Sequence, residues 1–128
     1  MTPVLHIPAQ ADAPIACNMT TAPDTPDERL ASYRRLFESA LLRRERAEHS
    51  VVFTLRSAPA TWDTVASLAR REAACCAFMD YRVETVGDEI VWTITSPVTG
   101  SLLDAFYALP DSDATPPWPP EVRRTAPA

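Results

Sequence analysis

Apolar residues recur at steps of three and four from Leu30 through Tyr33, Phe37, Ala40 and Leu41, the spacing of a helix with one face turned to a core. Thr25-Pro26-Asp27-Glu28 supplies a start, with a capping Thr, a Pro suited to the first turn and a carboxylate at capping-box spacing. The pattern predicts a helix from there to about Ala47. Arg44 falls on its apolar face, where an Arg near a helix end commonly carries its head to water. Ser50–Arg56 then alternates, with Val51, Phe53 and Leu55 on one side, and reads as a strand. A second amphipathic helix starts within Ser57–Thr61, with Pro59 in its first turn, and extends to about Met79.

Tyr81–Val86 and Glu89–Thr95 follow as two strands joined at Gly87-Asp88, a tight hairpin in which Gly accepts a positive φ. Ser101 and Asp104 have capping-box spacing ahead of Leu102, Leu103, Phe106 and Leu109, a short last helix. Ile15–Met19 is read as a short first strand that delivers Cys17 to a loop. The order is therefore β-α-β-α-β-β-α, and the expected class is α+β: a two-layer sandwich of one mixed sheet with the helices on one face. Residues 1–13 and the Pro-rich stretch 110–128 read as tails around a single domain over 14–109.

Composition narrows the function. A chain of 128 residues fits one domain whose core needs no disulfide staples. Its net charge of -5 argues against a nucleic-acid surface, which needs clustered cations. No segment approaches the length of a membrane span, and the start, interrupted by Pro3, Pro8 and Pro14, lacks the form of a secretory leader. The expected setting is cytoplasmic, with reduced thiols. With Gly87 and Gly100 its only glycines, the chain has no phosphate-cradling loop, and no nucleotide cofactor is expected. His6 in a tail and His49 at a helix end are poor candidates for a general base.

The costly residues lie on the second helix. At about 100° per residue, Trp62, Val65, Leu68, Ala69, Glu72, Cys76 and Met79 share one arc, with Cys75 at its margin. Buried cysteines are commonly packing groups. A carboxylate in the middle of an apolar face instead requires a cation or hydrogen-bond donors, and Arg44 is the candidate partner. Cys75 and Cys76, three and four residues beyond Glu72, project towards its side of the helix.

Two thiolates and a carboxylate, or three thiolates with Cys17, suit a soft or borderline ion of the Hg(II), As(III), Cu(I) or Zn(II) class. Helical neighbours diverge, however, so Cys75 and Cys76 chelate one small ion only where the helix unwinds. The candidate metal ligands are thus Cys17, Cys75, Cys76 and Glu72, with Glu72 as a fourth ligand or as the base that takes a thiol proton. One alternative is a thiol-dependent enzyme using Cys75 or Cys76 with Glu72 as base, although a helix C-terminus disfavours a thiolate and no C-x-x-C is present. A second alternative is an interaction module whose cysteines only pack. The expected partner is a metal ion or small thiol-reactive ligand, and a homodimer is left open.

Ala16-Cys17-Asn18-Met19-Thr20 together with Glu72-Ala73-Ala74-Cys75-Cys76-Ala77-Phe78 resembles a family of small bacterial proteins with A-C-x-L-T and E-x-x-C-C-x-F motifs. The resemblance spans about Ile15 to Leu109 and carries over Cys17, Thr20, Glu72, Cys75, Cys76 and Phe78, with Met19 in place of the family's Leu. Members occur beside, or fused to, regulators of the mercury-responsive type. The resemblance therefore implies a role in heavy-metal or thiol-stress handling, and it implies no established activity.

Overall fold

The computed structural model describes residues 3–14, 22–98, 100–111 and 117. Its elements run β1 (Val4–Ile7), α1 (Pro26–Ala40), β2 (Leu41–Ala47), β3 (Ser50–Arg56), α2 (Pro59–Cys75), β4 (Asp80–Val86), β5 (Glu89–Thr95) and α3 (Ser101–Tyr107). The strands form one sheet in the order β1-β4-β5-β3-β2. The class is the expected α+β sandwich, with three differences in its construction. Every strand pair is antiparallel, so the sheet is not mixed. An additional strand, β2, lies between the first helix and the strand at Ser50, and β1 is drawn from the stretch read as a tail. The strand expected over Ile15–Met19 lies outside the described residues.

Pleat and register place one apolar face under all three helices. Val51 and Phe53 of β3 stand opposite Ile94 and Trp92 of β5, which stand opposite Tyr81 and Val83 of β4, and all six are buried. Tyr33 of α1 stacks on Trp92 with ring centroids 5.6 Å apart, and Phe37 lies 4.8 Å from the Phe53 ring. Val65 and Leu68 of α2 and Leu103 and Phe106 of α3 complete the same core. The opposite face carries Arg43, Arg82, Glu84 and Thr93, a polar surface suited to water.

The first helix starts as its sequence dictates. Thr25 accepts from the Glu28 amide while Glu28 accepts from the Thr25 amide, both halves of a capping box. It ends at Ala40 rather than Ala47, because Leu41 leaves helical geometry and Leu41–Ala47 pairs with β3. Long-range contacts override the helix preference of Leu-Leu-Arg-Arg-Glu-Arg-Ala. The hairpin closes at Glu48-His49, where the Ser96 amide donates to the His49 carbonyl and the His49 ring lies 3.0 Å from the Ser96 carbonyl. Arg44 consequently sits on a strand. Its guanidinium lies 4.6 Å over the Tyr107 ring, donates to the Tyr107 carbonyl and pairs with Asp111, so it serves the end of α3 and not Glu72.

Two glycines act through positive φ: Gly87 at 63° in the β4–β5 hairpin and Gly100 at 95° as the N-cap of α3. Gly100 takes the place of the Ser101 cap expected from spacing, and Ser101 is the first helical residue. Helix α2 also stops early, at Cys75 instead of Met79. Cys76 turns out of the helix at φ -126° and ψ 65°, its amide still bonded to the Glu72 carbonyl at 2.6 Å. The Tyr81 hydroxyl donates to the Cys76 carbonyl at 2.8 Å and fixes the turn into β4.

Candidate functional site

Helices α1 and α2 pack with their polar exceptions in register. Arg29 on α1 stands four residues before Tyr33, and Glu72 on α2 four after Leu68, so each occupies a core-facing position. Both side chains are fully shielded from solvent, and the Arg29 guanidinium lies 3.0 Å from Glu72 Oε1. The Tyr33 hydroxyl donates to Glu72 Oε2 at 2.6 Å. Glu72 therefore has both compensations its burial demands, a cation and a donor. The cation is Arg29, in place of the expected Arg44.

Arg29 is shared with a second carboxylate. Its Nε and Nη2 make a forked contact with Asp24 at 2.8 and 2.7 Å, and Arg71 Nη1 reaches Asp24 Oδ2 at 2.8 Å. Among the described residues, two guanidiniums thus face two carboxylates. Burial alone would favour neutral Asp24, yet the bonds to Arg29 and Arg71 outweigh it and hold its pKa below the ordinary value. Burial likewise works against charge on Arg29, but Asp24 and Glu72 more than offset it, and its pKa is raised. Tyr33 is pushed well above the usual phenol range by burial and by the neighbouring Glu72 charge.

The sulfurs stand against this cluster. Cys75 Sγ lies 3.7 Å from Glu72 Oε1 as donor and 3.6 Å from Arg29 Nη1 as acceptor. Cys75 and Cys76 Sγ are 3.6 Å apart. The approach is possible because α2 ends between the two residues, so the 100° divergence of helical neighbours does not apply to Cys76. One sulfur ligand from each cysteine and a carboxylate oxygen of Glu72 lie within 4.8 Å of one another, all buried. This Glu72–Cys75–Cys76 group could hold a metal ion.

The thiols differ in state. Cys75 is free, whereas Cys76 is disulfide-bonded. Burial, and secondarily the Glu72 charge, push the Cys75 thiol up to about 12, with Arg29 offsetting only part of the shift. Cys75 is thus a protonated thiol near neutral pH, the opposite of the activated thiolate a cysteine nucleophile requires. Phe78, the last residue of the second motif, is buried in the core. Cys17 and Thr20 lie outside the described residues.

Arg29, Asp24 and Tyr33 are the site residues that sequence reasoning missed. Arg29 had a signal, since it continues the apolar stripe of Tyr33, Phe37 and Ala40 one turn towards the N-terminus. Asp24, ahead of the cap, had none. No protein-family model matches the chain, and no curated protein or solved structure is significantly similar to it. Fold and site together define an α+β domain with a buried thiol, carboxylate and guanidinium cluster. Among the described residues no helix is long and apolar enough to cross a membrane.

Proposed function

We propose that this protein binds a soft metal or metalloid ion through its cysteine sulfurs, in metal or thiol-stress handling. The observation that carries the reading is the pair of sulfurs held 3.6 Å apart beside a buried carboxylate. With a metal–sulfur bond of about 2.3 Å, that separation lets both sulfurs reach one ion. Cys17, which lies outside the described residues, is the proposed third sulfur, on the strength of the Ala16-Cys17-Asn18-Met19-Thr20 motif that accompanies the Cys75-Cys76 pair in the sequence. Cys76 ligates an ion only once its disulfide is reduced, so the ion-binding form is the reduced one. Glu72 acts as the acceptor of the Cys75 proton, because Arg29 and Tyr33 already engage both of its oxygens and leave it poorly placed as a fourth ligand.

The test is titration of the phosphine-reduced protein with Hg(II), Cu(I), As(III) and Zn(II), in parallel with Cys17→Ser and Cys75→Ala. The expected result is about one tightly held ion per chain, with affinity reduced at least tenfold by Cys75→Ala, a loss of about 1.4 kcal/mol or more. Equal affinity in Cys17→Ser removes Cys17 from the ligand set. Absence of tight binding by any of the four ions refutes the function. A thiol-dependent enzyme is the weaker reading, because the free thiol is protonated and shielded where a nucleophile is exposed and ionised.

A further inference from the structure

From the contact between a free thiol and a disulfide-bonded neighbour, we infer that Cys75 is the attacking thiol of an internal thiol–disulfide exchange at Cys76. The exchange moves the disulfide onto the Cys75–Cys76 pair and releases the sulfur to which Cys76 was bonded. It goes beyond the ion-binding reading and stands without it. It concerns the disulfide form alone, the state in which the two sulfurs lie 3.6 Å apart.

The Cys75 sulfur is held against its target by polar contacts. It donates to Glu72 Oε1 at 3.7 Å and accepts from Arg29 Nη1 at 3.6 Å, and Cys76 Sγ stands beside it in near van der Waals contact. Both cysteines are buried, so water and external thiols are kept from the approach. The end of α2 creates the contact. Cys75 is the last helical residue, and Cys76 turns out of the helix with its amide on the Glu72 carbonyl and its carbonyl on the Tyr81 hydroxyl. On a continuing helix the two sulfurs would diverge by about 100°.

Two opposing effects set the pace. Burial pushes the Cys75 thiol up to about 12, which leaves roughly one chain in 10⁵ as the thiolate near neutral pH. Proximity works the other way, since well-oriented intramolecular groups react with effective molarities of about 10⁵–10⁸ M. The second effect offsets the first. A thiolate of raised pKa is also the stronger nucleophile once formed, and the Arg29 donor meets its charge as it develops. Cys75 is therefore inert towards external reagents yet exchanges with its one neighbour, on the minutes-to-hours scale of uncatalysed disulfide rearrangement.

The step balances without an oxidant or a reductant. The Cys75 proton passes to Glu72 Oε1, the acceptor of its hydrogen bond. The Cys75 sulfur bonds to Cys76 Sγ, the existing S–S bond at Cys76 breaks, and the leaving sulfur takes the electron pair and then the proton. One disulfide and one thiol are present before and after. The new disulfide is strained, because neighbouring Cα atoms are about 3.8 Å apart whereas disulfides span about 4.4–6.8 Å. A strained disulfide is the more easily reduced one. A dithiol reductant that attacks it is oxidised to its own disulfide and leaves Cys75 and Cys76 as thiols, so the exchange is the route by which the buried linkage opens.

The experiment uses the full chain in its oxidised form, with the Cys76 disulfide verified by peptide mapping in acid before any trap is added. Native protein is held near neutral pH with excess N-ethylmaleimide for about a day, well beyond the time of uncatalysed rearrangement. It is then quenched in acid, digested and mapped by mass spectrometry for the labelled cysteine and the pairing of the rest. The expected result is label on the sulfur released from Cys76, with the Cys75–Cys76 peptide lighter than its dithiol by a pair of hydrogens. Loss of the original Cys76 disulfide should be at least about tenfold slower in Cys75→Ser, with folding checked by circular dichroism. Label on Cys75 with the Cys76 disulfide intact, or no label after a day, overturns the inference, and the parent chain decides this even if the variant fails to fold. Equal loss of the disulfide in Cys75→Ser assigns the opening to another attacker and overturns it as well. An oxidised chain without a Cys76 disulfide also overturns it, and leaves the ion-binding function to its own titration.

Discussion

Replacing Arg29 by Met tests whether the buried cluster is the electrostatic unit the geometry describes. The flexible methionine fills much of the vacated volume without introducing a polar atom. The substitution removes the cation 3.0 Å from Glu72, the forked contact with Asp24 and the donor to Cys75. Asp24 keeps Arg71 and sits where water reaches, so most of the cost falls on Glu72, left with the Tyr33 hydroxyl as its remaining strong donor among these contacts. Stripping one partner from a buried ion pair costs about 3–5 kcal/mol. With an unfolding entropy near 2.1 cal/mol/K per residue over roughly 100 ordered residues, that lowers Tm by roughly 15–25 °C.

The sign of the pH dependence follows from the same geometry. Without the guanidinium, the folded state favours the protonated form of Glu72 more than the unfolded chain does. A carboxyl whose folded pKa is raised is most favourable to folding below its unfolded value, about 4.3, and loses that advantage as pH rises. The deficit of Arg29→Met relative to the parent is therefore larger at about pH 8 than at about pH 5. Adding Glu72→Gln to Arg29→Met removes the stranded charge and should recover at least about 1 kcal/mol, a coupling expected of residues in direct contact. Urea unfolding at both pH values, on protein of uniform redox state, measures each quantity as a shift in midpoint at constant m-value. A single variant within about 1 kcal/mol of the parent at both pH values, or strict additivity in the pair, refutes the assignment of Arg29 as the counter-charge.

Three further outcomes follow. Tyr33→Phe removes the 2.6 Å donor to Glu72 while keeping the ring stacked on Trp92, and should cost about 1–3 kcal/mol in urea unfolding; a neutral effect would mean that Arg29 alone satisfies the carboxylate. Asp24→Asn should destabilise near neutral pH, and because the folded pKa of Asp24 is lowered, the difference from the parent should shrink as pH falls below about 4; a pH-independent difference would assign the effect to packing. Iodoacetamide should label Cys75 in the native protein at near-neutral pH far more slowly than in urea, since its thiol is shielded and pushed up to about 12; fast native labelling would revive the nucleophile.

Most of the architecture was legible because it depends on local signals. The capping box at Thr25–Glu28, the alternation over Ser50–Arg56 and the Gly87 hairpin all stand where their residues demand. The strand at Leu41–Ala47 was not legible, for two physical reasons. Its residues favour a helix in isolation, and its closing turn at Glu48-His49 has neither the Gly nor the Asn that marks a hairpin, being secured by contacts to Ser96 from beyond β5. That misreading carried Arg44 into the expected helix and made it the natural partner for Glu72. Once the helix ends at Ala40, the only Arg on its buried stripe is Arg29. Arg29 lies four residues before Tyr33 on the same helical face, so the periodicity that puts Glu72 in the core puts Arg29 there too.

The end of α2 decides what the vicinal cysteines can do. On a continuous helix to Met79, the two sulfurs would diverge and the pair would be a packing feature with one member at the margin. Termination at Cys75 places one sulfur on the last helical turn, three residues from Glu72, and the other on a cap residue whose backbone is held from β4 by Tyr81. The 3.6 Å approach thus arises from a helix end and a sheet meeting at one residue. The same junction explains why the carboxylate carries more information than the thiols. Buried cysteines cost little and need no partner, whereas Glu72 obliges the fold to bring Arg29 and Tyr33 from another helix to the same few ångströms. Those two residues engage both carboxylate oxygens and so fix Glu72 beside the Cys75 sulfur, at the junction where the helix ends.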